Sequence, residues 1–213
     1  MSRGRHLPSM TKAQIAALTD KARAPVIVTT GAIEQHGAHL PVAFDALMGQ
    51  VWIGRVLALL PDDVPCYTAP PVTIGKSNEH TGFPGTLTIS KETLRLQLLV
   101  IARQLAAWGF GTLAVLNTHG GNTSVLAYTL REIEATHGLR AVLLKPAVTL
   151  APAMSAQEAA YGFHGGELET SWLLAVAPQL VDMTRAVCEY PARLDDPGAL
   201  RPEAAPATFA WAS

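Results

Sequence analysis

Apolar positions fall in short blocks, and their spacing changes from block to block. Thr11 to Lys21 carries Ile15 and Leu18 at helical spacing, with Thr11 placed to cap the segment. Pro25 to Thr30 is a β-branched run closed by Gly31, the pattern of a buried strand. Asp45 to Leu60 is helical and stops at Pro61; Cys66 to Ile74 is extended, but Pro70 and Pro71 make it irregular or an edge. Ser90 to Trp108 is the clearest helix: Ser90 caps it, Glu92 suits its positive end and Gly109 closes it. Thr112 to Leu116 and Ala141 to Leu144 read as strands, Thr123 to His137 and Glu167 to Ala177 as helices, and Pro191 to Pro206 as a loop. Strands alternating with longer helices predict an α/β fold with a mostly parallel sheet and helices on both faces.

The bulk properties narrow the partners. The 213 residues suffice for one large domain, and 49% hydrophobic against 15% charged residues argues for a packed core. A net charge of −1 gives no basic field for nucleic acid. No apolar run approaches the ~18 residues of a membrane span. The polar opening, Met1 to Pro8, lacks the apolar stretch of a signal peptide, so a cytoplasmic location is expected. Cys66 and Cys188 form no CxxC pair and are expected to be buried free thiols.

Polar chemistry concentrates where the strands should end. Glu34 and His36 are two apart, which places both side chains on one side of an extended segment, and Asp45 opens the next helix, within reach of both. Imidazole and carboxylate together suit zinc, manganese or iron. His39 is expected to support these groups rather than to bind metal. His119, between Thr118 and Gly120-Gly121, is expected as a ligand; an anion site at a helix start is the alternative, but the P-loop pattern is absent. His164 precedes Gly165-Gly166-Glu167 and is a candidate general acid/base. Glu167 and Glu169 point about 200° apart on a helix, so one of them should face a metal. The loop from Gly75 to His80, followed by Phe83-Pro84-Gly85-Thr86, is of the substrate-contacting type. His6 and His137 read as surface residues.

Four segments in order resemble the creatininase family of metal-dependent amidohydrolases: Gly31 to Pro41 with Asp45; Glu79-His80 with Phe83-Pro84-Gly85-Thr86; Asn117 to Asn122; and His164 to Ser171. The resemblance implies a three-layer αβα fold and a two-metal centre of zinc, manganese or iron. It implies Glu34, Asp45 and His119 on one metal, His36 and Asp45 on the other, and Asp45 bridging. A water bridging the metals would lose a proton, attack the amide carbonyl as hydroxide, and leave His164 to protonate the leaving nitrogen. Where creatininase proper has a metal-binding glutamate, this chain has Gly121; Glu167 is the nominated replacement and Glu169 the rival. Ala160, Phe163 and Gly120 stand where creatininase carries aromatic and acidic substrate residues. A small linear amide or formamide is therefore expected rather than creatinine, in a pocket lined by Ser77, Gly120 and Phe163. A creatinine amidohydrolase proper and a non-catalytic metal-binding protein on the same fold are the alternatives. The resemblance also implies a homo-oligomer, often a hexamer. It further implies one creatininase-like domain over 1–213, without the Gly- and Thr-rich tail that usually follows a segment like Phe209-Ala210-Trp211.

Overall fold

The computed structural model describes residues 4–145 and 154–188. Four parallel strands form the sheet: β1 (Pro25–Thr30), β2 (Tyr67–Thr68), β3 (Thr112–Asn117) and β4 (Arg140–Leu144), in the order β2-β1-β3-β4. Pro25 is in register with Thr112 and Thr30 with Asn117, so β1 and β3 end side by side. Pro70 and Pro71, which cannot donate to a ladder, follow one residue after β2 and leave it a two-residue edge.

Side chains alternate across this sheet and divide the core in two. Val26 and Val28 of β1, with Leu113 and Val115 of β3, pack on α3 (Lys91–Ala107) and α4 (Thr123–His137). Helix α3 contributes Leu94, Leu98, Ala102 and Leu105, the spacing of one helical face, and α4 contributes Leu126, Leu130 and Ile133. On the opposite side Ile27, Ala114 and Leu116 meet Ile53 and Leu57 of α2 (Phe44–Leu59). Helix α2 also carries α6 (Glu167–Val176) through Phe44, Met48 and Leu173. Helix, sheet and helix are the three layers expected.

Most boundaries follow local chemistry. Thr11 and Gln14 form a reciprocal capping box on α1 (Lys12–Ala17). Ser90 accepts from the Thr93 N–H to start α3, and Gly138, at φ 64°, ends α4 in the left-handed conformation. A short helix, α5 (Ala156–Tyr161), was not expected. Cys66 is buried, but Cys188 is exposed, which corrects the expectation for that thiol. His6 is half-buried rather than superficial, with Nδ1 3.0 Å from Thr68 Oγ1. The segment Pro191 to Pro206 lies outside the described residues.

One contact joins the sheet to the chemistry. A Cβ on Gly31 would lie 2.7 Å from the Ala46 nitrogen and 2.9 Å from the Asp45 carbonyl carbon, so glycine lets the first turn of α2 sit on the end of β1. We predict that Gly31→Ala lowers stability by about 1–3 kcal/mol, the range for overpacking. Gly54→Ala should instead raise it by about 1 kcal/mol, since Gly54 lies inside α2 with open space beside it. Urea unfolding in a chelator checks both; equal effects would contradict the close approach at Gly31.

Candidate metal centre

The carboxyl ends of β1 and β3 open onto a buried cluster of carboxylates and imidazoles, the place where parallel sheets form their sites. Glu34, His36 and His39 follow β1, and His119 follows β3. Asp45 lies in the first turn of α2, whose cap is Ala43; Asp45 is therefore not the cap but a carboxylate at the helix's positive end. Glu34, His36, Asp45 and His119 are between 0 and 4% exposed.

Asn122 ties the converging loops. Its side-chain amide donates to Gly31 O at 3.0 Å after β1, and its Oδ1 accepts from Lys76 N–H at 2.9 Å. Thr118 Oγ1 donates to Asp45 O at 2.8 Å, which fixes the start of α2 to the end of β3. The buried Ser77 hydroxyl donates to Glu34 Oε2 in a short hydrogen bond. Ser77, expected to touch substrate, also holds a carboxylate of the cluster.

The donor atoms converge in three groups, each within 4.8 Å: Glu34, Asp45 and His119; His36, His164 and Glu169; and Glu34, His80 and His164. His119 Nδ1 is 3.1 Å from Glu34 Oε1 and 3.2 Å from Asp45 Oδ2, and His36 Nε2 is 3.4 Å from Asp45 Oδ1. Two ligands of one tetrahedral ion, each ~2.0–2.1 Å from it, stand about 3.3 Å apart, so these spacings suit ligands sharing an ion. His36 Nε2 and Asp45 Oδ2 are buried without a hydrogen-bond partner, while His36 Nδ1 donates to Glu34 O at 3.0 Å and His119 Nε2 donates to Lys76 O at 2.9 Å. Each ring is thus oriented from behind with its other nitrogen aimed at Asp45, the arrangement of histidine ligands. The set fits zinc, manganese or iron.

Glu167 and Glu169 part as helix geometry requires. The Glu167 carboxylate is exposed and lies 3.4 Å from the Ser155 N–H. Glu169 Oε2 accepts from Gly165 N–H at 2.6 Å and lies 3.8 Å from His36 Nε2. The structure therefore brings Glu169, not the nominated Glu167, to the centre. His164 is brought there too, with Nδ1 3.5 Å from Glu34 Oε1 and Nε2 donating to Gln35 O. His39 donates or accepts at Thr170 Oγ1, 2.8 Å away, behind the cluster. Gly120 and Phe163 are exposed, and open space surrounds Gly120.

Two groups of the Gly75 to His80 loop, expected only as part of a substrate-contacting segment, also reach the centre. Glu79 is 4% exposed, 3.8 Å from Lys76 Nζ and 3.6 Å from His119 Nε2. A side chain at Gly121 would collide with Glu79 Oε1, so the glycine and this carboxylate belong together. His80 is stacked on His164, with ring centroids 4.2 Å apart.

Without metal, protons balance the buried carboxylates. Burial opposes charge on His36, but Asp45, then Glu169 and Glu34, push its pKa up to about 9. Burial likewise opposes charge on His119, and the adjacent Asp45 and Glu34 carboxylates overcome it. Burial raises Glu169 to about 7, despite His36. For His80 burial dominates and lowers it to about 4; His164 is also lowered, by burial and then by the charge of His36.

The fold and site define an α/β protein with a buried cluster of nitrogen and oxygen donors, able to hold metal, at its strand ends. The family model described as creatinine amidohydrolase matches residues 8–213, and the chain belongs to the creatininase family. It is 34% identical over 165 residues to a mycofactocin precursor peptide peptidase of Mycolicibacterium smegmatis, covering 76% of this chain and 62% of that protein. It is 31% identical over 185 residues to a creatinine amidohydrolase of Pseudomonas putida, covering 78% and 70%. A solved manganese creatininase superposes with a TM-score of 0.72 at 26% identity, covering 88% of this chain and 79% of that one. The chain thus spans about three-fifths of the mycobacterial relatives.

The pKa directions make a prediction for metal-free protein. His36 is raised from 6.5 to about 9, so the stability it contributes is present below pH 6.5 and lost as pH rises to about 9. Glu169, raised from 4.5 to about 7, acts in the same direction over that lower window. In a chelator, unfolding free energy should fall between pH 6.5 and 9 by on the order of 3 kcal/mol from His36. Saturating zinc should abolish the fall, since ligands bind deprotonated. A flat chelator profile would contradict the charge balance.

Proposed function

We propose that this chain is a metal-dependent amidohydrolase that cleaves the C–N bond of a linear amide or formamide with two divalent ions, of zinc, manganese or iron. Glu34, Asp45 and His119 would hold one ion, and His36, Asp45 and Glu169 the other, with Asp45 shared. Glu169 takes the place first given to Glu167. The carrying observation is that His36 Nε2 and Asp45 Oδ2 are buried without hydrogen bonds, while His36 Nδ1 and the Asp45 backbone carbonyl are each held by one.

Bound divalent ions supply a water made acidic near neutral pH and polarise a carbonyl oxygen. The chain's residues do the rest. Ser77 orients Glu34, and the backbone carbonyls of Glu34 and Lys76 hold the two imidazoles in their ligand tautomers. His164 donates its Nε2–H to Gln35 O, so its Nδ1 faces the centre as a base. That nitrogen takes a proton from the attacking water and returns it to the leaving nitrogen as the C–N bond breaks. One water is consumed, giving a carboxylate, or formate, and an amine.

Similarity to the peptide peptidases favours a peptide bond as a second substrate class. Open space at Gly120 and the exposed Phe163 suit an extended substrate over a small ring. The same reading carries a single domain over 1–213, a cytoplasmic location, a homo-oligomer such as a hexamer, and no nucleic-acid partner, in keeping with the net charge of −1. No helix among the described residues is long and apolar enough to cross a membrane.

Zinc- or manganese-loaded protein should hydrolyse members of a panel of formamides, linear amides and short peptides, and creatinine poorly. His164→Gln should lower kcat by about 10²–10⁴-fold. By metal analysis, Asp45→Ala should lose both ions and Glu169→Gln one, while Glu167→Gln keeps both. Two tightly held ions with no hydrolysis anywhere in the panel would favour a non-catalytic metal protein. Loss of metal in Glu167→Gln but not Glu169→Gln would overturn the ligand assignment.

A further inference from the structure

We propose that His80 is a catalytic hydrogen-bond donor of this site, locked by Gln35 so that its Nε2–H faces the reacting centre and stabilises the oxyanion formed on the substrate carbonyl. The proposal rests on the amidohydrolase reading for the reaction and on hydrogen-bond bookkeeping for the donor.

The chain of protons starts at Gly37. Its backbone N–H can only donate, and it lies 2.8 Å from Gln35 Oε1, so that oxygen accepts. The other end of the amide is therefore the NH₂, 3.1 Å from His80 Nδ1. An NH₂ group only donates, so His80 Nδ1 must present its lone pair. The ring is then neutral with its proton on Nε2. Nε2 lies 3.9 Å from Glu34 Oε1, the oxygen that His119 Nδ1 and His164 Nδ1 approach at 3.1 and 3.5 Å. His80 is 2% exposed, and Phe83 stands against its ring with centroids 6.2 Å apart, so the tautomer is held in a dry setting.

The other imidazoles of the cluster are set the opposite way. His36, His119 and His164 give a ring N–H to the backbone carbonyls of Glu34, Lys76 and Gln35, and in the metal-loaded protein each turns an acceptor nitrogen to the centre. His80 turns a donor. Gln35 fixes both members of the stacked pair in opposite senses: its backbone carbonyl takes the proton of His164, and its side chain occupies the lone pair of His80. The pair thus offers a base beside an N–H donor. Hydrolysis of an amide needs both, one for the proton leaving water and one for the charge arriving on oxygen. The same lock excludes His80 as a metal ligand, because Nε2 would have to be bare, and so sets aside the grouping of Glu34, His80 and His164 as an ion site.

The test uses zinc-loaded protein labelled with ¹⁵N-histidine. Long-range ¹H–¹⁵N correlation should show His80 neutral with its proton on Nε2, and Gln35→Glu, whose carboxylate only accepts, should move that proton to Nδ1. Calorimetric titration with methylphosphonate, a tetrahedral oxyanion, should show affinity weakened roughly tenfold or more in both Gln35→Glu and His80→Ala, at unchanged zinc content. An Nδ1–H tautomer in the unsubstituted protein, undiminished phosphonate affinity in Gln35→Glu, or loss of zinc from His80→Ala would each overturn the proposal. Gln35→Glu keeps the side-chain shape, so the test stands even if His80→Ala does not fold. These readouts use no amide substrate. Failure of the amidohydrolase reading would show separately, as unsubstituted protein inert on the amide panel.

Discussion

The site depends on one constraint: carboxylates are buried at the ends of β1 and β3, and buried negative charge must be balanced locally. Glu34 and Asp45 are 1 and 2% exposed, and Glu79 is 4% exposed close by. The nearest compensation in the chain itself is protonation of His36 and His119, whose pKa values are held up by those same carboxylates. Divalent ions would supply the charge and free the imidazoles to act as ligands. The fold can tolerate such a cluster because the sheet and the loops around it are stitched by groups that do not titrate. Asn122 joins the β1, Lys76 and His119 loops, and Thr118 anchors the first turn of α2.

The glycines follow from the same crowding. Gly31 lets α2 approach the end of β1 and deliver Asp45, and Gly121 leaves room for Glu79 beside His119. The second case explains a departure from the family pattern noted in the sequence. A Cβ at position 121 would meet the Glu79 carboxylate, the Lys76 carbonyl and the His119 ring, so Glu79, from another loop, fills part of the space that a glutamate there would need. Helix α6 supplies the remaining carboxylate through Glu169, held by the Gly165 N–H.

Much of this was legible before the structure. The β-branched run before Gly31 marked β1, and Ser90 and Thr11 capped the helices expected of them. Glu34, His36, Asp45 and His119 stood out because they follow strands or open a helix, and the structure gathers them. The choice between Glu167 and Glu169 rested on how α6 is rotated, and the pattern held an unused clue. Leu173, fully buried, lies one turn after Glu169, whereas exposed Ser171 lies one turn after Glu167. His80 and Glu79 were marked only as part of a substrate-contacting loop, with no clue to their places at the centre. Their loop reaches the centre through tertiary contacts, including Leu87 N–H to Ile33 O at 2.8 Å, that no spacing along the chain encodes. The tautomer set by Gln35 is likewise a property of three residues meeting in space.

If charge balance governs the centre, ions and protons must exchange for one another. Calorimetric titration of the metal-free protein with zinc at pH 7.5, repeated in buffers of different ionisation enthalpy, counts the protons displaced. About two protons per chain should be released at saturation, from His36 and His119, as the rings become ligands. Zinc binding with no proton release would mean that the imidazoles were already neutral, and would contradict the charge balance on which this description of the site is built.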